Sequence, residues 1–156
     1  MLSSDLITEA QVLSHCDVTS KKRLLETLAE LLAAAGPELN SDAVFERLLA
    51  RERLGSTGLG HGIALPHARI DTVDIPVGAF VQLRDGVDFD AIDDQPVDLA
   101  FALLVPQTAD EHHLQLLAEL AEKFNDQSLR QQLRDCSTRD ELFALLTQRT
   151  ASTGIK

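Results

Sequence analysis

Two segments in the first third of the chain carry apolar residues at the three- and four-residue spacing of an amphipathic helix. The first follows Thr19-Ser20, a pair typical of a helix N-cap, and Gly36-Pro37 ends it. The second begins near Ser41-Asp42 and is closed by Gly55. We therefore predict two consecutive helices, whose buried faces are formed by Leu24, Leu25, Leu28, Leu31, Leu32 and Ala35 in the first and by Val44, Phe45, Leu48 and Leu49 in the second.

Two later runs, 77–83 and 97–105, are apolar at nearly every position. Continuous apolar character in so short a run is typical of a strand that helices cover on both faces. Between the runs, Asp85-Gly86 has the composition of a tight turn. We therefore predict two buried strands joined through a turn at this dipeptide.

The last third of the chain has three helical segments. One opens at Asp110-Glu111 and continues to Phe124, and a short one surrounds residues 129–133. The third begins with the capping-box pattern Thr138-x-x-Glu141. Helices and strands are thus mixed along the chain, which predicts an α/β architecture.

The size and composition of the chain fit one domain. Its 156 residues are 44% hydrophobic, enough to close one core, and we assign residues 1–150 to the domain and 151–156 to a frayed tail. The formal net charge is −11. A nucleic-acid binder needs a basic surface, so this charge argues against that class and favours a protein partner with a basic patch.

The sequence also limits the location of the protein. Residues 1–10 contain no Lys or Arg and no apolar core of an export signal. The longest apolar run, 99–105, is far shorter than the ~20 residues of a membrane span. The two cysteines, Cys16 and Cys136, have no CxxC spacing, so we expect no disulfide framework and no thiolate metal site. We expect a cytoplasmic protein that is not inserted in a membrane.

The segment 55–67 has the residue types that bind a phosphoryl group. Its four glycines lie between positions 55 and 62, where backbone amides can approach an anion closely, and Ser56 and Thr57 add hydroxyl donors. The short run Ile63-Ala64-Leu65 indicates a strand that Pro66 stops, which places His67 at a strand end. His67 is therefore a candidate reactive side chain, although a histidine after a strand is often only hydrogen-bonded at the surface.

A second histidine shares the inward stripe of the predicted third helix. His113 lies four residues before Leu117, on the stripe that Leu120 and Phe124 continue, and it sits in the first helical turn, where anions are favoured. The loop before it follows the carboxyl end of the strand 97–105, where open α/β sheets place ligands. We predict that His113 meets His67 there, with a satisfied core-edge histidine as the alternative.

The remaining candidates have simpler explanations. His112 is rotated about 100° from His113 around the helix and is expected in solvent. His15 and His61 lie on no stripe. Arg51 can neutralise the helix C-terminus or can bind a phosphate through its planar guanidinium.

Other motifs fail on spacing. Gly55-x4-Gly60 resembles the start of a P-loop, but His61-Gly62 stands where Lys-Ser/Thr is required. A dinucleotide fingerprint lacks its third glycine, and Ser56 has no nucleophile-elbow sequence around it. A zinc site made by His61, His67 and His113 stays open as a minor alternative, without a carboxylate or thiolate at ligand spacing. We expect no cofactor and no metal.

The sequence around these residues resembles the IIA component of the bacterial phosphoenolpyruvate-dependent phosphotransferase system, of the mannitol/fructose/nitrogen-regulatory type. The segments that carry the resemblance are Arg51-Glu52-Arg53-Leu54-Gly55-Ser56-Thr57, Gly60-His61-Gly62-Ile63-Ala64-Leu65-Pro66-His67 and His113-Leu114-Gln115-Leu116-Leu117. Segment 89–99 is most similar to the nitrogen-regulatory branch. Ala68 stands where many members have glycine.

The resemblance implies a single domain with a mixed central β-sheet flanked by helices. It also implies that His67 accepts the phosphoryl group and that the second active-site histidine is His113, with His112 as the competing assignment. Accordingly we expect a phosphotransferase component in which Arg51, Ser56, Thr57 and loop amides stabilise the phosphate. His113 then orients or stabilises the transferring group.

The implied phosphoryl donor is a small HPr-like phosphocarrier protein. In the nitrogen-regulatory branch, the phosphorylation state would control target proteins such as a potassium transporter or a sensor kinase. A sugar-specific subunit, which passes the phosphate to a IIB domain, is the alternative within the family. A binding module without phosphoryl transfer is the alternative from another class.

Overall fold

The computed structural model describes residues 6–108 and 111–147, without the side chain of His112. Five α-helices and six strands form there, after a short 3₁₀ turn at Glu9–Gln11. The helices are α1 (Lys21–Ala33), α2 (Ser41–Glu52), α3 (Glu111–Phe124), α4 (Gln127–Asp135) and α5 (Arg139–Thr147). The strands are β1 (Val12–Cys16), β2 (Gly58–Gly60), β3 (Ile63–Ala64), β4 (His67–Ile70), β5 (Val77–Val87) and β6 (Val97–Pro106).

The helices lie where the apolar periodicity predicts them, except that α1 ends at Ala33 and leaves Ala35 outside the helix and exposed. Ser20 caps α1 by accepting a hydrogen bond from the backbone N–H of Arg23. The capping box before α5 is present, since the Glu141 carboxylate accepts the Thr138 N–H and the Thr138 hydroxyl accepts the Glu141 N–H. Asp110, predicted to open α3, and the tail 151–156 lie outside the described residues.

The strands form a mixed sheet in the order β1-β5-β6-β3-β2, with β4 also paired to β6. β5 and β6 are antiparallel, whereas β1 is parallel to β5, and both β3 and β4 are parallel to β6. β2 and β3 form a small antiparallel hairpin. The mixed sheet flanked by helices confirms the predicted α/β class.

The turn predicted at Asp85-Gly86 is wrong. β5 continues through both residues to Val87, which pairs with Val97 after a register shift. An irregularity of this kind accommodates turn-forming residues without reversing the chain. The reversal into β6 therefore comes later, between Val87 and Val97.

His67 begins a strand and does not end one, so the predicted strand end is a second correction. Proline has no N–H, and the pairing is interrupted between Ala64 and His67. The Pro66 carbonyl nevertheless accepts the N–H of Leu103, which keeps the chain beside β6. β4 therefore starts directly at His67, in register with Leu103.

The sheet separates two apolar cores, as the continuous apolar runs of β5 and β6 predict. Helices α1 and α2 cover one face, and α3, α4 and α5 cover the other. On the second face, Phe80, Phe101 and Phe124 are fully buried with ring centroids 5.7–6.5 Å apart. Across residues 6–108 and 111–147, no helix combines the length and apolar content needed to cross a bilayer.

Candidate active site

A cavity of about 370 Å³ opens beside His67 at the start of β4. It lies between α2 and α3, so helices from the two faces of the sheet both reach it. Val105, near the carboxyl end of β6, contributes to its wall, which is the position predicted from the strand 97–105. Its lining residues are Arg47, Ala50, Arg51, Leu54, His67, Ala68, Arg69, Val105, His113, Leu114 and Leu117.

The His67 imidazole is half-buried, and a backbone carbonyl two residues earlier in the chain holds it by a hydrogen bond. Its Nδ1 lies 2.9 Å from the carbonyl oxygen of Leu65, and a carbonyl only accepts, so we assign the ring proton to Nδ1. In the neutral ring the lone pair then belongs to Nε2. The hydrogen bond fixes the ring orientation as well as the tautomer.

Burial lowers the pKa of His67, which is the largest influence on the group. The hydrogen bond to Leu65 raises it, the Arg51 charge lowers it, and the Glu52 charge raises it. The net direction is downward, so His67 is uncharged at neutral pH. An uncharged imidazole keeps the lone pair that a nucleophile needs.

Three arginines share the cavity with His67. Arg47 and Arg51 come from α2, and Arg69 comes from β4. Nη1 of Arg51 donates to the carbonyl of Gly55 at 2.9 Å, and a guanidinium has further N–H donors for phosphate oxygens. The cavity is thus basic although the whole chain is acidic.

Arg69 was missed from the sequence, although a signal for it was present. Positions i and i+2 of a strand lie on the same side of the sheet. Once His67 is known to begin a strand, this spacing puts Arg69 beside it. The prediction that His67 ends a strand hid this relation.

His113 lines the same cavity as His67, so the predicted convergence of the two side chains is present. It lies in the first turn of α3 and is only partly exposed. The side chain of His112, the competing assignment, is outside the described part of the chain. His113 is therefore the candidate second histidine that the described cavity contains, and His112 stays the competing assignment.

His61 lies elsewhere, in a separate depression with Asp98 and Arg134. A zinc site made by His61, His67 and His113 would therefore lack His61 as its third ligand. Within the part of the chain that the structure describes, no group of three His, Cys, Asp or Glu residues is arranged to hold a metal ion.

Ser56 and Thr57 do not line the cavity, and their hydroxyl groups are used within the protein. The Thr57 side chain is buried and its hydroxyl donates to the Glu52 carboxylate. The Ser56 hydroxyl donates to the carbonyl of Phe89 and accepts the N–H of Gly58. The structure therefore does not bring these two side chains to His67, and the sequence pattern misjudged where they point.

The glycines of this segment allow close packing, and they are absent from the described cavity lining. A Cβ on Gly58 would lie 2.8 Å from the Cβ of Ala91. A Cβ on Gly62, where φ is +82°, would collide with the Arg134 guanidinium. The glycine-rich composition thus lets the β2–β3 hairpin lie against neighbouring segments.

Two charged residues near the site were also missed as candidates. Glu52, the last residue of α2, is only 7% exposed. Its carboxylate forms an ion pair with Lys21, whose Nζ lies 3.0 Å from Oε1, and this lysine begins α1. A charged residue in a helix is normally expected to face solvent, so only its burial in the folded chain marks Glu52.

The mouth of the cavity has exposed apolar side chains. Leu54 is 85% exposed and Leu114 is 58% exposed, and both line the cavity that contains His67. Large apolar side chains left in solvent beside a reactive group are typical of a surface that a protein partner covers.

A mixed sheet between two helical layers, with a half-buried histidine at a strand start beside arginines, matches what the sequence resemblance implies for a IIA-type protein of the phosphotransferase system. The family model described as "Phosphoenolpyruvate-dependent sugar phosphotransferase system, EIIA 2" matches residues 5–149. The chain belongs to this family.

Its relatives point to one branch of the family. The "Nitrogen regulatory protein" of Pseudomonas aeruginosa is 43% identical over 141 residues, which cover 90% of this chain and 92% of that protein. The crystal structure of Nitrogen Regulatory Protein IIA-Ntr from Neisseria meningitidis is 44% identical with a TM-score of 0.86, covering 92% of this chain and 98% of that one. The crystal structure of IIA mannitol from Escherichia coli is 25% identical with a TM-score of 0.73, covering 88% and 96%.

Proposed function

We propose that His67 Nε2 accepts a phosphoryl group from the phosphohistidine of an HPr-like carrier protein. The observation that carries this proposal is the Leu65 carbonyl, which occupies Nδ1 at 2.9 Å and leaves the lone pair on Nε2. The P–N bond of the donor breaks, its electron pair stays on the donor nitrogen, and a P–Nε2 bond forms. The proton on Nδ1 stays in place throughout.

The cavity supplies positive charge where the transition state needs it. During in-line transfer, negative charge spreads over the three equatorial oxygens of the phosphoryl group. Arg51, Arg47 and Arg69 line the cavity, and His113 contributes N–H donor capacity at the first turn of α3. We assign phosphate stabilisation to Arg51, assisted by these groups, and orientation of the phosphoryl group to His113.

Ser56 and Thr57 enter this proposal indirectly. Their hydroxyls hold segment 53–57 through Phe89 and Glu52. We therefore assign them to the placement of the loop that carries Gly55, the acceptor for Arg51. Because donor and acceptor are both imidazole nitrogens, the exchange is close to thermoneutral and reversible.

The regulatory role rests on the relatives, which carry the name nitrogen regulatory protein. Phosphorylation adds about −1.5 to −2 charges at neutral pH. Placed among the arginines of the cavity, this charge cancels much of the local positive charge beside Leu54 and Leu114. We propose that regulatory targets, such as a potassium transporter or a sensor kinase, distinguish the two states at this surface.

Labelling with a phosphorylated HPr-like carrier tests the acceptor assignment. We expect an acid-labile, alkali-stable phosphoprotein, as phosphohistidine requires, and loss of the label in His67→Ala with the circular dichroism spectrum unchanged. His61→Ala is the matched control, because His61 lies outside the cavity, and it should label like the wild type. Labelling of His67→Ala would refute the assignment.

The sugar-specific alternative is supported by the fold shared with the IIA mannitol protein of Escherichia coli. Under that alternative, the labelled protein passes its phosphoryl group to a IIB domain during sugar uptake. Retention of the label in the presence of IIB domains supports the regulatory branch. A binding module without phosphoryl transfer would show no label in the wild-type protein.

A further inference from the structure

Glu52 is a buried carboxylate with an unusually complete set of partners. The backbone N–H of Thr57 lies 3.2 Å from both of its oxygens, and the Thr57 hydroxyl donates to Oε2. Lys21 Nζ lies 3.0 Å from Oε1 and 4.6 Å from the ring centroid of Phe89. A buried charge without partners is strongly unfavourable, and these contacts compensate the burial of the Glu52 carboxylate.

A chain of hydrogen bonds joins this carboxylate to the imidazole of His67. The Thr57 N–H donates to Glu52, and the Thr57 carbonyl accepts the N–H of Leu65 at 2.9 Å. The Leu65 carbonyl in turn accepts the Nδ1–H of His67 at 2.9 Å. Each residue in the chain is thus held by the one before it, and the first is fixed by Lys21.

We propose that Glu52 is a positioning residue for phosphoryl transfer: acting through Thr57 and Leu65, it fixes the His67 ring with Nε2 toward the cavity. This inference rests on the proposed role of His67 as acceptor. Glu52 itself does not line the cavity, so it acts without touching the phosphoryl group.

The charges around His67 explain why such a residue matters. Arg47, Arg51, Arg69 and His113 line the cavity on α2, β4 and α3, and the Arg51 charge lowers the pKa of His67. The arginines suit phosphate binding, but they withdraw basicity from the attacking nitrogen. The negative charge of Glu52 raises the pKa of His67 and so opposes this loss.

The variant Glu52→Gln tests whether the charge of Glu52 acts on His67 or whether Glu52 only stabilises the fold. Glutamine removes the charge and keeps one oxygen that accepts the Thr57 N–H, while the second acceptor oxygen becomes an NH2 donor. We expect the His67 imidazole, titrated by NMR, to have a lower pKa than in the wild type. The acidic limb of the labelling rate against pH should move to lower pH, and the rate at neutral pH should fall by about tenfold to a hundredfold.

Two further variants serve as controls. Glu46→Gln removes the same charge from an exposed position of α2 and should leave both the pKa of His67 and the rate unchanged. Lys21→Met removes the cation that fixes the Glu52 carboxylate, so the His67 ring should be held less firmly and the labelling rate should fall. Lys21→Met also tests the proposal if Glu52→Gln does not fold.

The outcomes distinguish this inference from the proposed function. If the wild type is labelled on His67 while Glu52→Gln retains the wild-type pKa and pH profile, the positioning role is overturned and the acceptor role stands. If the wild type takes no label, the acceptor role fails. The NMR titrations then still decide whether Glu52 governs His67, since they need no phosphoryl donor.

Discussion

The hairpin that leads into the active-site strand depends on the absence of a side chain at Gly62. Its φ is +82°, and its carbonyl accepts the N–H groups of Asp98 and Leu99 at 3.0 and 3.1 Å. Arg134 lies over it, paired with the Asp98 carboxylate through Nε and Nη2 and bonded to the His61 carbonyl at 2.6 Å. The substitution Gly62→Ala should therefore strain the backbone and displace this pair.

The expected cost follows from the two effects. A Cβ in the left-handed region costs about 1–2 kcal/mol. The added methyl group would also collide with the Arg134 guanidinium, and its carbon would lie 2.7 Å from Oδ1 of Asp98. Because both partners are about 30% exposed, solvent screens the pair and its loss adds only about 0.5–1 kcal/mol. The sum is about 1.5–3 kcal/mol, or a melting temperature lower by about 3–12 °C for a domain of this size.

Urea unfolding followed by far-ultraviolet circular dichroism measures this difference, since the chain has no Trp or Tyr for fluorescence. Arg134→Ala separates the two contributions. In that background the collision with Arg134 is gone, and the Asp98 carboxylate, no longer paired, can move away from the added methyl group. Gly62→Ala should then cost only the backbone strain of about 1–2 kcal/mol. A Gly62→Ala protein as stable as the wild type would refute the argument, as would an equal cost in both backgrounds.

Three further outcomes are expected. Because the folded protein lowers the pKa of His67, the unfolded chain takes up a proton at higher pH than the folded one, and the free energy of unfolding should decrease as the pH drops below about 6.5. Urea unfolding at several pH values should show a smaller decrease for His67→Gln. The side-chain amide of Gln82 donates hydrogen bonds to the carbonyls of Leu133 and Cys136, each at 2.9 Å. Gln82→Leu removes both bonds and should lower the free energy of unfolding by about 2–4 kcal/mol in the same assay. Phe124→Ala removes one ring from the buried aromatic cluster and should lower the free energy of unfolding by about 3–5 kcal/mol. An unchanged melting temperature would contradict this expectation.

Local patterns were sufficient for most of the secondary structure. The helices α1 and α2 and the strand β6 follow from residue spacing and from the residues that flank them, because capping and amphipathicity act within a few residues. The turn at Asp85-Gly86 fails for the opposite reason. Whether such a dipeptide reverses the chain depends on the neighbouring strand, and here β6 continues to pair as far as Val97.

The two histidines of the candidate site were also accessible from the sequence. His113 is marked by its place on an inward helical stripe, and His67 by the proline and glycines before it. The sequence did not show which way the side chains of Ser56 and Thr57 point. A hydroxyl in a glycine-rich loop is equally suited to an anion or to a buried carboxylate, and the choice depends on where α2 ends relative to the loop.

The α/β class, most of the helix positions and the pair His67 and His113 thus follow from the order of residues alone, because these features depend on residue types at short separations. The folded chain was needed to show that Arg69 joins the cavity, that Lys21 meets Glu52, and which nitrogen of His67 is occupied. Those contacts join elements far apart in the chain or depend on the orientation of a single ring. Their energies depend on burial and distance, which exist only once the chain is folded.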